Sequence, residues 1–261
     1  MTIFRHELRL GKIALLIWSA AISSMLALCI LIYPEMAEEM GQVSKLFASM
    51  GAFSQAFGLD QLNYGEFLGF FCVECGNVLG LGGAFFAALI GVSALAKEEK
   101  EHTAEFLLTH PISRASVIGE KLCAVAAQIA VLNLISIAVT ALSVLIIGED
   151  VEIKTIGLLF LAYFLMQLEV GAITFGISAF LRRGSLGVGL GLAACFYFLN
   201  LISNLVDETE FLKYFTPFGY TEGADIIKNH ALNGGYLAVG MAAGIIGISL
   251  AFWKYTKKDI A

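Results

Sequence analysis

The chain has 261 residues, 58% of them hydrophobic and only 15% charged, with a mean hydropathy of +0.82. A soluble domain carries about 25% charged residues, so the composition excludes an ordinary soluble enzyme or binding module and indicates a membrane protein. The formal net charge is −6. The basic residues gather where membrane insertion requires them, so they are no sign of nucleic-acid binding.

In chain order, the first residues, Ile3 to Lys12 (IFRHELRLGK), allow two readings. One is an amphipathic surface helix with Ile3, Phe4, Leu8 and Leu10 toward lipid and Arg5, Glu7 and Arg9 toward water. The other is a basic flank orienting the first span. Six apolar stretches follow, Ile13–Tyr33, Phe67–Ala96, Leu122–Ile147, Ile156–Leu181, Leu186–Val206 and Tyr236–Trp253. A bilayer core of about 30 Å needs about 20 helical residues, so each can span. Lipid offers open backbone groups no partner, which leaves helices as the spanning element. The expectation is an all-α polytopic membrane protein, one transmembrane domain over 1–261.

Placing both termini in the cytoplasm puts twelve of the 16 Lys and Arg on the inner side, as the positive-inside rule demands. The first outer loop carries an apolar helical stripe, Val43, Leu46, Phe47, Met50, Phe53 and Phe57. The second holds FLKYFTPFGY, Phe211 to Tyr220, where Pro217 and Gly219 predict a broken, partly re-entrant element. All five cysteines fall inside spans, and the Cys72/Cys75 pair reads as packing rather than as a redox or metal site. Glu74 and Glu169 are the two acids within spans. A charge at mid-bilayer costs about 2.5–3.5 kcal/mol, so they mark either a substrate or proton path or hydrogen-bonded packing with Gln128, Asn133, Gln167 or Asn200. Gly80, Gly82 and Gly83, and Gly184, Gly187, Gly189 and Gly191, read as close-packing surfaces.

The inner loop 97–121 is the most hydrophilic part of the chain. Glu98, Glu99 and Glu101 lead a short helix that His110-Pro111 stops, and Ser113 is placed to cap the next one. Phe106, Leu107 and Leu108 form an apolar patch on this charged loop and need a cover. The run Glu98-Glu99-Lys100-Glu101-His102-Thr103-Ala104-Glu105-Phe106-Leu107-Leu108-Thr109-His110-Pro111-Ile112-Ser113-Arg114, with Lys121 beyond it, resembles the pattern of ABC-2 type transporter permeases. FRHEL near the N-terminus and TPFGY in the second outer loop are similar to weaker features of that family. His102 stands where the family usually has glycine.

The resemblance implies a six-helix ABC-2 (type V exporter-like) permease fold in the inner membrane of a prokaryote, with segment 97–114 docking on a separate ATP-binding subunit. Phe106, Leu107 and Leu108 would anchor the contact. Glu98, Glu99, Glu101, Glu105 and Arg114 would set its register, with His102, Thr103 and Pro111 shaping the segment. It also implies two ATPases and a second permease copy or paralogue per complex, with membrane lipid as the surroundings. ATP and Mg would then sit on the partner, with no cofactor or metal in this chain. The residues agree on one point: a P-loop needs GxxxxGK followed by Ser or Thr, and the only Gly-Lys, Gly11-Lys12, precedes Ile13. An intramembrane enzyme or a proton-coupled secondary transporter using Glu74 or Glu169 is the alternative. The four histidines lie outside the spans with no HExxH or Ser/His/Asp pattern, which disfavours the enzyme.

Overall fold

The computed structural model describes residues 2–56, 61–97, 113–181 and 186–257. Six long helices dominate: α1 (Thr2–Ser49), α2 (Phe67–Ser93), α3 (Arg114–Ile147), α4 (Ile153–Ser178), α5 (Leu186–Leu205) and α6 (Gly234–Lys257). Each is long and apolar enough to cross a membrane. No strand occurs among the described residues, as expected where lipid leaves only intra-helical partners for the backbone.

Three boundaries differ from the sequence reading. The first outer loop was expected to begin after Tyr33, yet α1 runs through Pro34 to Ser49 as one helix of 48 residues. At 1.5 Å per residue it is about 70 Å long, so it reaches well beyond any bilayer core. Met50 at its end is exposed. The side chains of Val43, Leu46, Phe47 and Phe53, and all of Phe57, lie outside the described residues. At its other end, α1 includes the N-terminal segment, where Ile3 and Glu7 are both buried. Glu7 therefore faces protein rather than water.

The third helix starts at Arg114, eight residues before the apolar run, because the Ser113 side chain caps it by accepting the Ser116 amide. It stops at Gly148, whose φ of 72° supplies the left-handed turn that ends a helix. Inside α2 the regular winding is interrupted: Gly76–Leu81 forms a π-helical turn between two α-helical stretches.

The connection between α5 and α6 is broken as predicted. A 3-10 helix, Asp207–Phe215, is followed by a turn and a short helix, Gly223–Asn229. Phe218 and Tyr220 in the turn are buried, whereas Phe211, Tyr214 and Phe215 are exposed. The turn thus dips into the bundle and leaves its flanking aromatics at the rim.

The centre of the bundle is α2 and α4, each 56% buried over its most apolar stretch, against 22% for α5 and α6. On one side α1 packs along α3, and on the other α5 lies on α2 and α6 on α4. The outward faces carry Ile13, Leu16 and Ile17 on α1 and Ile245, Ile246 and Trp253 on α6, all exposed. Such a belt is soluble only in lipid.

Candidate functional site

The starts of α1 and α3, the end of α6 and Lys97 lie at one end of the bundle, and a buried ionic cluster organises that end. The Glu7 carboxylate is shared by two lysines: Oε1 accepts from Lys121 Nζ at 2.9 Å, and Oε2 pairs with Lys97. Lys121, with only 1% of its side chain exposed, also donates to the Ala94 carbonyl at 2.7 Å. Nearby, the Phe4 amide at the start of α1 donates to Glu120 Oε2 at 3.0 Å, satisfying one of the open donors of a helix N-terminus. Arg114 Nη1 donates to the carbonyls of Tyr255 and Thr256 at 3.2 and 3.3 Å, where the negative end of the α6 dipole favours a cation.

The two points from which 98–112 departs are therefore tied to α1, α2, α3 and α6. Of the loop residues singled out from sequence, Arg114 is described and held within the chain. Glu98, Glu99, Glu101, His102, Thr103, Glu105, Phe106, Leu107, Leu108 and Pro111 lie outside the described residues. So do Arg182, Arg183 and Gly184.

In the interior, Asn133 of α3 donates to Gln167 Oε1 of α4 at 2.7 Å, and Gln167 Nε2 donates to the Leu79 carbonyl in the π turn of α2 at 3.2 Å. A π turn shifts backbone carbonyls out of their usual pairing, and this side chain supplies a donor there. The close approach requires glycine: a Cβ on Gly83 would collide with the Gln167 amide. Tyr163 of α4 lies in the same way over Gly76 and Gly80.

Glu169, 2% exposed, has no hydrogen-bond partner on either carboxylate oxygen. None of Gln128, Asn133, Gln167 or Asn200 reaches it. The Tyr220 hydroxyl from the dipping turn is its polar neighbour, though short of full hydrogen-bond geometry. The carboxylate rests against the bare backbone of α6, where a Cβ on Gly240 would strike it. Further along the same seam, Gly176 and Gly247 approach so closely that a Cβ on Gly176 would stand 2.5 Å from the Gly247 carbonyl oxygen. The sequence reading missed this seam, although Gly240, Gly244 and Gly247 recur at the helical spacing that marks close helix approach.

Glu74 is elsewhere, at the end of the bundle opposite the termini. It lines a cavity of about 570 Å³ bounded by α1, α2, α5 and the segment 216–224. Its recorded partner is the Cys29 thiol, which donates to Oε2 at 3.6 Å. Asn77, Asn200 and Glu222 also line the space. Glu222 Oε1 accepts from Asn200 and Asn204 at 2.6 and 2.7 Å. Burial, with the Glu74 charge adding to it, pushes the Tyr64 phenol well above its ordinary range, so this wall presents a neutral hydroxyl. A second hollow, about 680 Å³ between α3 and α4, has no charged side chain in its lining. Cys72 and Cys75 are buried free thiols. A Cβ on Gly223 would meet Cys72 Cβ at 2.8 Å, so Cys72 packs against the backbone of the short helix.

Glu74 and Glu169 thus occupy separate environments, one lining a cavity and one sealed in a helix seam. No curated protein gives a significant match to the chain. A family model described as ABC-2 family transporter protein matches residues 3–259, a span that takes in all six long helices and the loop between α2 and α3. The chain belongs to the ABC-2 family of transporter proteins.

Proposed function

We propose that the chain is the membrane-spanning permease subunit of an ATP-driven ABC transporter that exports its substrate across the cytoplasmic membrane of a prokaryote. It has no P-loop, so the energy arrives from a separate ATP-binding subunit gripping segment 97–114. Two permeases and two ATPases make up the complex, with both termini in the cytoplasm, a reading that the excess of Lys and Arg on the terminal side supports.

The observation that carries this reading is the anchoring of that segment. Lys97 at its start and Lys121 beyond it converge on Glu7, and Arg114 holds the end of α6. A load on the segment passes at once into four helices. In the docked complex Phe106, Leu107 and Leu108 supply the buried contact. Glu98, Glu99, Glu101 and Glu105 set its register, since rim charge tunes specificity more than affinity. Combining Glu105→Lys with Phe106→Ala abolishes copurification of the ATP-binding subunit while the helices remain inserted. Undiminished copurification overturns the reading.

The sealed acid Glu169 supports one second reading, proton-coupled secondary transport. Flux driven by a proton gradient in vesicles without the ATP-binding subunit, and lost in Glu169→Gln, would select it.

A further inference from the structure

The cavity beside Glu74 has the size of a small-molecule site. Such sites are typically about 300–1,000 Å³, mostly apolar, with a few convergent polar groups, and this one is about 570 Å³. Its apolar wall includes Leu28, Ile32, Phe70 and Phe218, and Tyr197 adds an aromatic ring. Two carboxylates, Glu74 and Glu222, line it, and among the described residues no Lys, Arg or His does.

The two acids are not equivalent. Glu222 is engaged by two side-chain amides. Glu74 accepts from a thiol, a weak donor, at 3.6 Å. A carboxylate in an apolar wall without a strong donor is costly, and an incoming cation relieves that cost. The surrounding end of the bundle adds the same bias: Glu35, Glu66, Glu149, Asp150 and Glu152 lie there and outnumber Lys154, Lys213 and Lys228, and a net field of one sign concentrates ions of the other. A metal ion fits poorly, since among the described residues His, Cys, Asp and Glu nowhere gather in threes.

The π turn contributes to the arrangement. Gly76, at its start, and Asn77 both line the cavity. They sit directly after the α-helical stretch that bears Glu74, so the wider turn forms part of the wall below the carboxylate. Aromatic rings near a cation add attraction through their faces, and Tyr197 and Phe218 are stacked edge to face with centroids 5.6 Å apart.

We infer that this cavity binds an organic cation with an apolar body, the Glu74 carboxylate serving as its counter-charge. This names the substrate class of the transporter and rests on the transport reading above.

The test uses the full chain in lipid nanodiscs, without nucleotide or ATP-binding subunit, and measures equilibrium binding of tetraphenylphosphonium. Tetraphenylborate, matched in shape and opposite in charge, is the control. The wild type binds the phosphonium saturably and the borate does not compete. Glu74→Gln weakens binding roughly 10- to 100-fold, the loss expected for a charged partner, and Glu74→Asp recovers part of it. Asn77 is an exposed residue of the lining, so Asn77→Lys tolerates the fold and puts an ammonium into the cavity. It abolishes binding with an unchanged unfolding midpoint.

Absence of saturable binding by the wild type, equal binding by Glu74→Gln or Asn77→Lys, or equal competition by the borate overturns the inference. The assay contains no ATPase. Binding that follows this pattern beside failed copurification of an ATP-binding subunit would sink the transport reading and leave the site standing.

Discussion

Removing the Glu7 carboxylate takes a counter-charge away from a buried lysine. In Glu7→Ala, Lys121 stays in a position that leaves 1% of its side chain exposed, with the Ala94 carbonyl still in reach but the Glu7 charge gone. Deleting one partner of a buried pair costs about 3–5 kcal/mol. The retained carbonyl places this case near the lower end, about 3 kcal/mol, or about two powers of ten in the folding equilibrium. Lys97 provides the internal control. Its side chain is 23% exposed, so Lys97→Ala belongs with surface pairs and costs about 1 kcal/mol or less. Replacing the pair by apolar residues, Glu7→Leu with Lys121→Met, returns stability to the wild-type level or above, since a well-packed apolar substitute often matches a buried ion pair. The assay is equilibrium unfolding in mixed dodecyl maltoside and SDS micelles, followed by fluorescence of the two tryptophans, Trp18 and Trp253. A loss below about 1 kcal/mol in Glu7→Ala, indistinguishable from Lys97→Ala, would refute the buried clamp.

Three more outcomes follow from the interior. Gly247→Leu forces a side chain into the seam where Gly247 meets the Ala172 carbonyl; overpacking costs about 1–3 kcal/mol or more, and an unchanged unfolding midpoint would contradict the seam. Gln167→Leu removes the donor to the Leu79 carbonyl and the acceptor for the Asn133 amide, costing about 1–3 kcal/mol and raising amide exchange in Gly76–Leu81 above that in the rest of α2. Glu169→Gln replaces a buried carboxyl group neither of whose oxygens has a hydrogen-bond partner, so its unfolding midpoint equals or exceeds that of the wild type. A marked fall would show that the carboxylate is a structural element.

The spans were legible because a run of about 20 apolar residues is a property of one stretch of sequence and needs no knowledge of neighbours. The Ser113 cap was legible for the same reason. Glu7 was not. Between Arg5 and Arg9 it has the pattern of a wet surface, and its two lysines lie 90 and 114 residues away along the chain. The π turn was hidden too: apart from Glu74 and Asn77 the residues around Gly76–Leu81 are apolar or glycine, so no periodicity betrays a change of winding. The end of α1 was hidden because the apolar run stops at Tyr33, before Glu35, Glu38 and Glu39, while the helix continues through Pro34 to Ser49. The Glu74 cavity depends on where the turn 216–224 comes to rest, which local sequence leaves open beyond the break at Pro217 and Gly219.

These features converge on α2. Its last residues lie at the ionic clamp, where the Ala94 carbonyl and Lys97 meet Lys121 and Glu7. Its first turns carry Glu74 into the cavity at the other end. Between them stands the π turn, held from α4 by Gln167, which α3 holds in turn through Asn133. A straight α-helix passes a displacement along its axis unchanged. A helix with one wide turn has a second response, because moving the extra residue by one position rotates the residue passed over by about 100° relative to its neighbours. In the transport reading, a push on segment 98–112 therefore reaches the Glu74 end either as translation or as a change of facing. The Gln167 bond to the Leu79 carbonyl opposes the second response while it is made. The three elements carrying that bond network, α2, α3 and α4, include two of those tied to the loop anchors, so load and latch act on the same helices.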